Sequence, residues 1–157
     1  MHPDDPKASA TTTALPGRFV VSARGAHIVA DTPAARGGPG EAPSAAELML
    51  SSLAVCGLSI VTRTARERGD ALAGATIEAT YALAPGDRTR IERLGLVLRA
   101  CGVDQGAADA LLRAFTEACP IWNTVVRAGV DARARAEAVG AATTVAAATS
   151  SPAAVAA

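Results

Sequence analysis

Residues 44–69 read SAAELMLSSLAVCGLSIVTRTARERG and predict a long helix. Ser44 is a favourable N-cap residue and Glu47 follows three positions later, so the two predict a capping box at the start of this helix. Gly69 predicts its end after about Arg68. The first half is apolar nearly all round, which is typical of a helix that is covered on every side. This stretch therefore predicts a fold built around one buried helix.

The apolar part of this helix, residues 45–61, is short for a bilayer span and is interrupted by Glu47, Gly57 and serines. The first residues, MHPDDPKASATTTALPG, lack the charged and apolar regions of a signal peptide. Three cysteines do not make a disulfide framework of a secreted domain. We therefore expect a cytoplasmic protein without a membrane partner.

Shorter elements flank the helix on both sides. Before it, two strands joined through Gly25 are followed by a loop rich in Gly and Pro over residues 31–43. The predicted order β-β-α-β-β-α-α-β indicates an α+β fold with mainly antiparallel pairing. In chain order, the flanking elements are strands at 18–23, 26–30, 76–83 and 90–99, helices at 103–118 and 119–127, and a strand at 130–139.

Both ends of the chain are predicted to be disordered. Residues 1–14 mix Pro, Asp, Ser and Thr without periodicity, and residues 140–157 contain no charged side chain. Such compositions bury too little apolar surface to offset the loss of chain entropy on folding. Residues 15–139 remain as one predicted domain.

The charge balance bears on possible partners. Lysine plus arginine and aspartate plus glutamate both number 15, so the net charge is zero, and aromatic residues make up 3%. Bulk attraction to nucleic acid and a platform for base stacking are therefore both missing. The hydrophobic share of 50% is inflated by alanine, but Leu, Val and Ile suffice for a core.

The three cysteines are candidates for chemistry. Cys56 lies in the long helix, Cys119 comes before Pro120 where two predicted helices meet, and Cys101 lies in a predicted turn. If Cys119 opens the second helix, the positive helix end favours a thiolate there. From the residues alone, each cysteine is equally typical of a small buried side chain.

A metal site is not expected. The cysteines do not form a CxxC pair, and the two histidines lie far apart in sequence. His2 falls in the predicted disordered arm, and His27 is interpreted as a strand residue.

Two motifs together resemble the OsmC-like family over about residues 17–139. The first is ARGAHIVADTPAARGGPGEAPSAAELMLSSLAVCGLSIV, in which a strand ending in Asp-x-Pro and a Gly-rich loop precede the cysteine helix. The second is ACPIWNTV, which contains Cys119 and Pro120. The resemblance implies an α+β fold in which antiparallel sheets pack around central helices in an intertwined homodimer.

The resemblance also implies a two-cysteine peroxidase. The cysteine matching Cys56 attacks an organic hydroperoxide and becomes a sulfenic acid, and the one matching Cys119 condenses with it to a disulfide. An external dithiol, of the lipoyl type in several members, resets the pair. No metal or organic cofactor is implied, and Cys101 matches no family position.

The sequence departs from the peroxidase branch beside the thiol. That branch places an arginine and a glutamate there, and the glutamate position corresponds to Ala46 in this chain. Glu47 is nine residues before Cys56, which at about 100° per residue puts it on the opposite helix face. We expect it to serve the capping box or a dimer contact. The arginine candidates are Arg24 and Arg36, with Arg18 as a third option.

Two hypotheses follow. In the first, the chain is a cytoplasmic peroxidase in which Cys56 is the nucleophile, Cys119 resolves it and Arg24 stabilises the thiolate. Its partners are a second copy, an apolar hydroperoxide and a dithiol donor, and its pocket candidates are Leu53, Trp122, Glu47 and Arg36. In the second, suggested by Ala46, it is a non-catalytic OsmC-fold module that binds a small molecule or responds to redox state. Two sulfurs within reach of one bond, with an arginine beside Cys56, would favour the first hypothesis.

Overall fold

The computed structural model describes residues 5–140, so the predicted tail at 140–157 falls almost wholly outside the described residues. The chain divides into two compact units, with the boundary between Ser51 and Ser52. The mixture of helices and sheets confirms the α+β class. In chain order, the elements are β1 (Ser9–Thr12), β2 (Arg18–Ala23), β3 (Ala26–Asp31), a short 3₁₀ helix (Ala34–Arg36), α1 (Ala45–Arg68), β4 (Gly74–Ala84), β5 (Asp87–Cys101), α2 (Gln105–Ala118), α3 (Pro120–Arg127) and β6 (Asp131–Val139).

The first unit contains an antiparallel sheet in the order β1-β2-β3. Arg24 and Gly25 join β2 to β3, and both have positive φ angles of 51° and 78°. Two such residues fit the tight hairpin turn whose twist matches that of the strands, and glycine adopts this conformation without steric penalty. The hairpin predicted around Gly25 is therefore present.

Strand β1 shows that the disorder predicted for residues 1–14 does not hold for Ser9–Thr12. Ser9 pairs with Ser22 and Thr12 with Phe19 across β1 and β2. All four β1 residues are exposed, so the strand shows no hydrophobic alternation. Its backbone hydrogen bonds to β2 stabilise it, and that contribution has no signature in the side-chain pattern.

The predicted Gly-rich loop is organised by the buried carboxylate of Asp31. Arg18 donates to both oxygens, from Nε at 2.9 Å and from Nη2 at 2.8 Å, and the backbone amides of Glu41 and Ala42 donate to Oδ2 at 3.0 Å. The hydrogen bonds from Arg18, followed by those from the amides, lower the pKa of Asp31 to about 2. Nη2 of Arg18 also donates to Glu41 at 2.7 Å.

Helix α1 has the predicted ends and the predicted capping box. The amide of Ser44 donates to Oε2 of Glu47 at 2.7 Å, and the amide of Glu47 donates to Oγ of Ser44 at 3.4 Å. This geometry confirms the structural interpretation of Glu47. The hydrogen bonds also lower the pKa of the Glu47 carboxyl.

The expectation that α1 is buried all round is wrong for the single chain. One stripe of the helix is buried, whereas Val55 is 65% exposed. The helix is long and apolar enough to span a bilayer by length and composition, a test that core helices of soluble proteins also pass. The buried stripe consists of Leu53, Gly57, Ile60, Val61 and Ala65.

The second unit contains a sheet in the order β4-β5-β6. Strands β4 and β5 form a long antiparallel hairpin. Strand β6 pairs with β5 in parallel, from Arg93 opposite Asp131 to Cys101 opposite Val139. The mainly antiparallel pairing is confirmed, and this parallel pair is the exception, for which helices α2 and α3 together form the crossover that parallel neighbours require. Cys101 is the last residue of β5, where a turn was predicted.

The core of this unit lies between the sheet and the helices. On β5, every second residue from Leu94 to Ala100 is buried, which is the period of a strand with one covered face. Leu111 and Phe115 of α2 are fully buried as well. This core anchors the two elements that carry Cys56 and Cys119.

Candidate functional site

Cys56 is half-buried on α1, next to a close contact between helices and sheet. At the adjacent Gly57, a β-carbon would overlap Cδ1 of Ile77 on β4 and lie 3.3 Å from Cδ2 of Phe115 on α2. The absence of a side chain therefore lets α1 approach both elements closely. This approach brings the Cys56 thiol toward the end of α2.

Cys119 is fully buried at the junction of α2 and α3. Its amide donates to the carbonyl of Phe115 at 2.9 Å and ends α2. Its Sγ accepts a hydrogen bond from the amide of Trp122 at 3.4 Å, so the thiol is the N-cap of α3. Pro120 follows in the first turn, where its missing N–H has no intrahelical partner to lose. The prediction that Cys119 opens the second helix is confirmed.

The two sulfurs lie together. Sγ of Cys119 donates to Sγ of Cys56 at 3.0 Å, although the residues are 63 positions apart in the sequence. Both are free thiols. A disulfide has an S–S distance of about 2.05 Å, so a small movement of the side chains would allow a bond.

The pair resists losing both protons. Burial, followed by the hydrogen bond and the charge of the Cys119 sulfur, raises the pKa of the Cys56 thiol to about 11. Two adjacent thiolates repel each other, so the pair holds one proton to high pH. Among the described residues of the second unit, no arginine contributes to this shift. A thiolate at Cys56 near neutral pH therefore needs a cation from elsewhere.

The arginine candidates belong to the first unit, whereas both cysteines belong to the second. Arg24 is exposed in the β2–β3 turn, and Arg36 lies in the 3₁₀ helix. The third candidate, Arg18, is engaged by Asp31 and Glu41, whose hydrogen bonds raise the pKa of its guanidinium. Of the three arginines, Arg18 is therefore already engaged in the ion pairs that stabilise the Gly-rich loop.

The pocket candidates Leu53 and Trp122 both lie in the core of the second unit. Leu53 is fully buried and Trp122 is 6% exposed. The Trp122 ring packs against Phe115 with centroids 5.7 Å apart at an interplanar angle of 55°. Within residues 5–140, no cluster of three His, Cys, Asp or Glu side chains could hold a metal ion.

Asn123 is a residue of this site that the sequence did not single out. Its side-chain Nδ2 donates to the carbonyls of Thr116 and Glu117 at 3.2 Å and to that of Cys119 at 2.9 Å. The available signal was Pro120, which removes a backbone donor from the end of α2. An amide side chain one helical turn later can replace that donor.

Comparisons with known proteins agree with this fold. The family model described as OsmC-like protein matches residues 38–134, which is more than half of the chain. The search of curated proteins finds no match.

Solved structures of low sequence identity share the fold. An OsmC like protein from Mycoplasma pneumoniae has a TM-score of 0.73 at 12% identity, with 88% of this chain and 99% of that one covered. An organic hydroperoxide resistance protein OsmC from Legionella pneumophila has a TM-score of 0.65 at 23% identity, covering 87% and 99%. The organic hydroperoxide resistance protein OhrB of Bacillus subtilis has a TM-score of 0.63 at 20% identity, covering 85% and 98%. With the family model matched over both cysteines, the chain belongs to the OsmC-like protein family.

Proposed function

We propose that this chain reduces organic hydroperoxides in oxidative stress defence, with Cys56 and Cys119 as its redox pair. The observation that carries the proposal is the 3.0 Å contact between two free thiols on separate helical elements. Two structural neighbours are organic hydroperoxide resistance proteins, which supports the same reaction class.

The proposed cycle has three steps. The Cys56 thiolate attacks one peroxide oxygen, the O–O bond breaks, and the departing alkoxide takes a proton to become an alcohol. The Cys119 thiolate then attacks the sulfur of the Cys56 sulfenic acid, and hydroxide leaves and is protonated to water. An external dithiol reduces the Cys56–Cys119 disulfide to two thiols and becomes a disulfide itself.

Thiolate formation at Cys56 is the step that needs assistance. Burial opposes its ionisation, and within the described part of the second unit the Cys119 sulfur is the one partner of the Cys56 sulfur. A nearby guanidinium lowers a thiol pKa by favouring the charged form. We assign this role to Arg24, from the same subunit or a second one, with Arg36 as the alternative.

A second copy of the chain is the proposed cover of the exposed apolar side chains. Val55 on α1 is 65% exposed, and Ile28 and Val29 on β3 are 51% and 44% exposed. Burial of these side chains by a second copy would remove their apolar surface from water. The proposal is therefore a cytoplasmic homodimer that takes apolar hydroperoxides.

A non-catalytic module is the second candidate. It is favoured by Ala46, where the peroxidase branch has a glutamate, and by the raised pKa of Cys56. In that function the thiols sense redox state or lie beside a bound small molecule without turnover.

A measurement of peroxide consumption distinguishes the peroxidase from the non-catalytic module. Cumene hydroperoxide or tert-butyl hydroperoxide is supplied with dihydrolipoamide, and the wild type is compared with Cys56→Ser, Cys119→Ser and Cys101→Ser. We expect Cys56→Ser to abolish turnover, Cys119→Ser to stop after one oxidation, and Cys101→Ser to retain activity. A wild type no faster than Cys56→Ser would reject the enzyme and leave the binding or redox-responsive module.

A further inference from the structure

The junction between α2 and α3 leaves carbonyls without their usual donors. In a continuing helix, the amide of residue 120 would donate to the carbonyl of Thr116, but Pro120 has no N–H. The last carbonyls of any helix lack intrahelical partners, and a buried carbonyl without a donor is unfavourable. The Cys119–Pro120 step therefore needs a donor from outside α2.

The side chain of Asn123 supplies that donor. Its two amide hydrogens are shared by the carbonyls of Thr116, Glu117 and Cys119, at Nδ2–O distances of 3.2, 3.2 and 2.9 Å. The backbone amide of Asn123 also donates to the Cys119 carbonyl at 3.0 Å. One residue of α3 is thus attached both to the last turn of α2 and to the backbone of Cys119.

This attachment fixes the direction of the Cys119 thiol. Sγ of Cys119 lies between the Trp122 amide, at 3.4 Å, and Sγ of Cys56, at 3.0 Å. The contact with Trp122 depends on the angle between α2 and α3, because Trp122 is on α3 and Cys119 closes α2. A change of that angle would move Sγ away from Cys56, and disulfide geometry tolerates little displacement.

We propose that Asn123 is a positioning residue that holds the Cys119 thiol against Cys56 and so sets how readily the two form a disulfide. The inference rests on the proposed function in that the disulfide is its second step. Orientation of two reacting groups raises their effective concentration, and loss of orientation lowers it without changing either group. Removal of the Asn123 amide should therefore weaken disulfide formation and spare the attack on peroxide.

The test is a thiol–disulfide equilibrium with glutathione, which needs no peroxide. Oxidised glutathione takes two electrons from the Cys56 and Cys119 thiols, so one protein disulfide and two glutathione thiols form per molecule. Asn123→Ala and Asn123→Asp are compared with the parent chain in a Cys101→Ser background. We expect the equilibrium constant to fall about tenfold in Asn123→Ala, as for the loss of one or two hydrogen bonds. It should fall further in Asn123→Asp, whose carboxylate would face three carbonyl oxygens.

Thr124→Val is the matched control. Its Oγ1 donates to the Pro120 carbonyl at 2.7 Å within α3, so the variant loses a similar hydrogen bond that reaches neither α2 nor Cys119. We expect its equilibrium constant to stay within twofold of the parent. An equal fall of the equilibrium constant in Thr124→Val and Asn123→Ala would overturn the proposal, because the effect would then come from a general destabilisation of α3.

Two further readouts separate positioning from folding and from the proposed function. Fluorescence of Trp122, the single tryptophan, reports whether α3 is packed, and Asn123→Ser replaces Asn123→Ala if the latter does not fold. Rates of Cys56 sulfenic acid formation should be equal with and without Asn123→Ala in a Cys119→Ser background.

An unchanged glutathione equilibrium in a folded Asn123 variant would overturn the inference. A chain that forms its disulfide in an Asn123-dependent way but consumes no peroxide would overturn the proposed function alone.

Discussion

The guanidinium of Arg18 donates two parallel hydrogen bonds to the carboxylate of Asp31, which is 2% exposed. The two residues stand opposite each other on β2 and β3, and the same carboxylate accepts two amides of the loop that leads into α1. Charge-assisted pairs of this geometry are among the stronger hydrogen bonds in proteins. Asp31 therefore connects the hairpin to the loop.

Acid should weaken the hydrogen bonds that the Asp31 carboxylate accepts from Arg18 and from the loop. The pKa of Asp31 is about 2 in the fold against an ordinary value of 3.8, so its contribution to stability is complete above about pH 4 and is lost as pH falls through 2. We expect Asp31→Asn to be less stable than the wild type at neutral pH and to lose less stability between pH 4 and 2. Thermal unfolding followed by circular dichroism across that range measures both effects. Equal pH slopes for the two proteins would contradict the role given to Asp31.

Gly57→Ala should strain the contact that places Cys56. The added β-carbon would overlap Ile77 and press on Phe115, and overpacking of this kind destabilises by about 1–3 kcal/mol. Chemical denaturation measures the change in the free energy of unfolding. Ser59→Ala, at an exposed position of the same helix, is the control and should change the free energy of unfolding by less than about 0.5 kcal/mol. A stable Gly57→Ala protein would mean that Ile77 moves aside without penalty.

Thiolate absorbance should reveal the coupling of the two sulfurs. The pKa of Cys56 is about 11 in the fold against an ordinary 9.0, so the fold favours the neutral thiol. The contribution of this thiol to the stability of the fold is therefore complete below pH 9 and is lost as the pH rises through 11. In Cys119→Ser the pKa of Cys56 should fall, because the hydrogen bond and the charge of the Cys119 sulfur are removed. An unchanged pKa would contradict the coupling. A value below 9.0 in that variant would show that a cation reaches Cys56.

Arg24→Asn tests the proposed cation without disturbing the turn. Arg24 has a φ of 51°, a conformation that asparagine tolerates well, and Asn-Gly is the favoured pair for such a hairpin. We expect unchanged or slightly higher thermal stability together with peroxide turnover about tenfold lower, as for one unit of thiol pKa. Arg36→Asn is the comparison and should retain activity. The opposite pattern would transfer the role to Arg36.

The long helix and the succession of helices and strands from β2 to β6 are visible in the sequence because they rest on local signals. Ser44, Glu47 and Gly69 are a cap, its partner and a terminator, and they fix α1 to within a residue. Strand β1 and the parallel pairing of β6 were missed, because both depend on backbone pairing with a strand elsewhere in the chain.

The site was predictable only in its residue types. Nothing within the residues around Cys56 or Cys119 indicates that their sulfurs meet, since the contact depends on the packing of α1, β4 and α2 around Gly57. The family resemblance supplied the pairing that local physics could not. Asn123 was not predicted, because its role is to replace the backbone N–H that Pro120 lacks, and this is seen only when α2 and α3 are in place.

The parallel pairing of β6 with β5 also constrains the order of folding. Strands β4 and β5 are neighbours in sequence and can pair through a short turn at Pro85 and Gly86. Strand β6 cannot reach its place until α2 and α3 have crossed the sheet, and the crossover carries Cys119 with it. During synthesis, β6 is therefore the last of the described strands to be made, and it completes the sheet. The second thiol arrives beside the first only as that crossover docks.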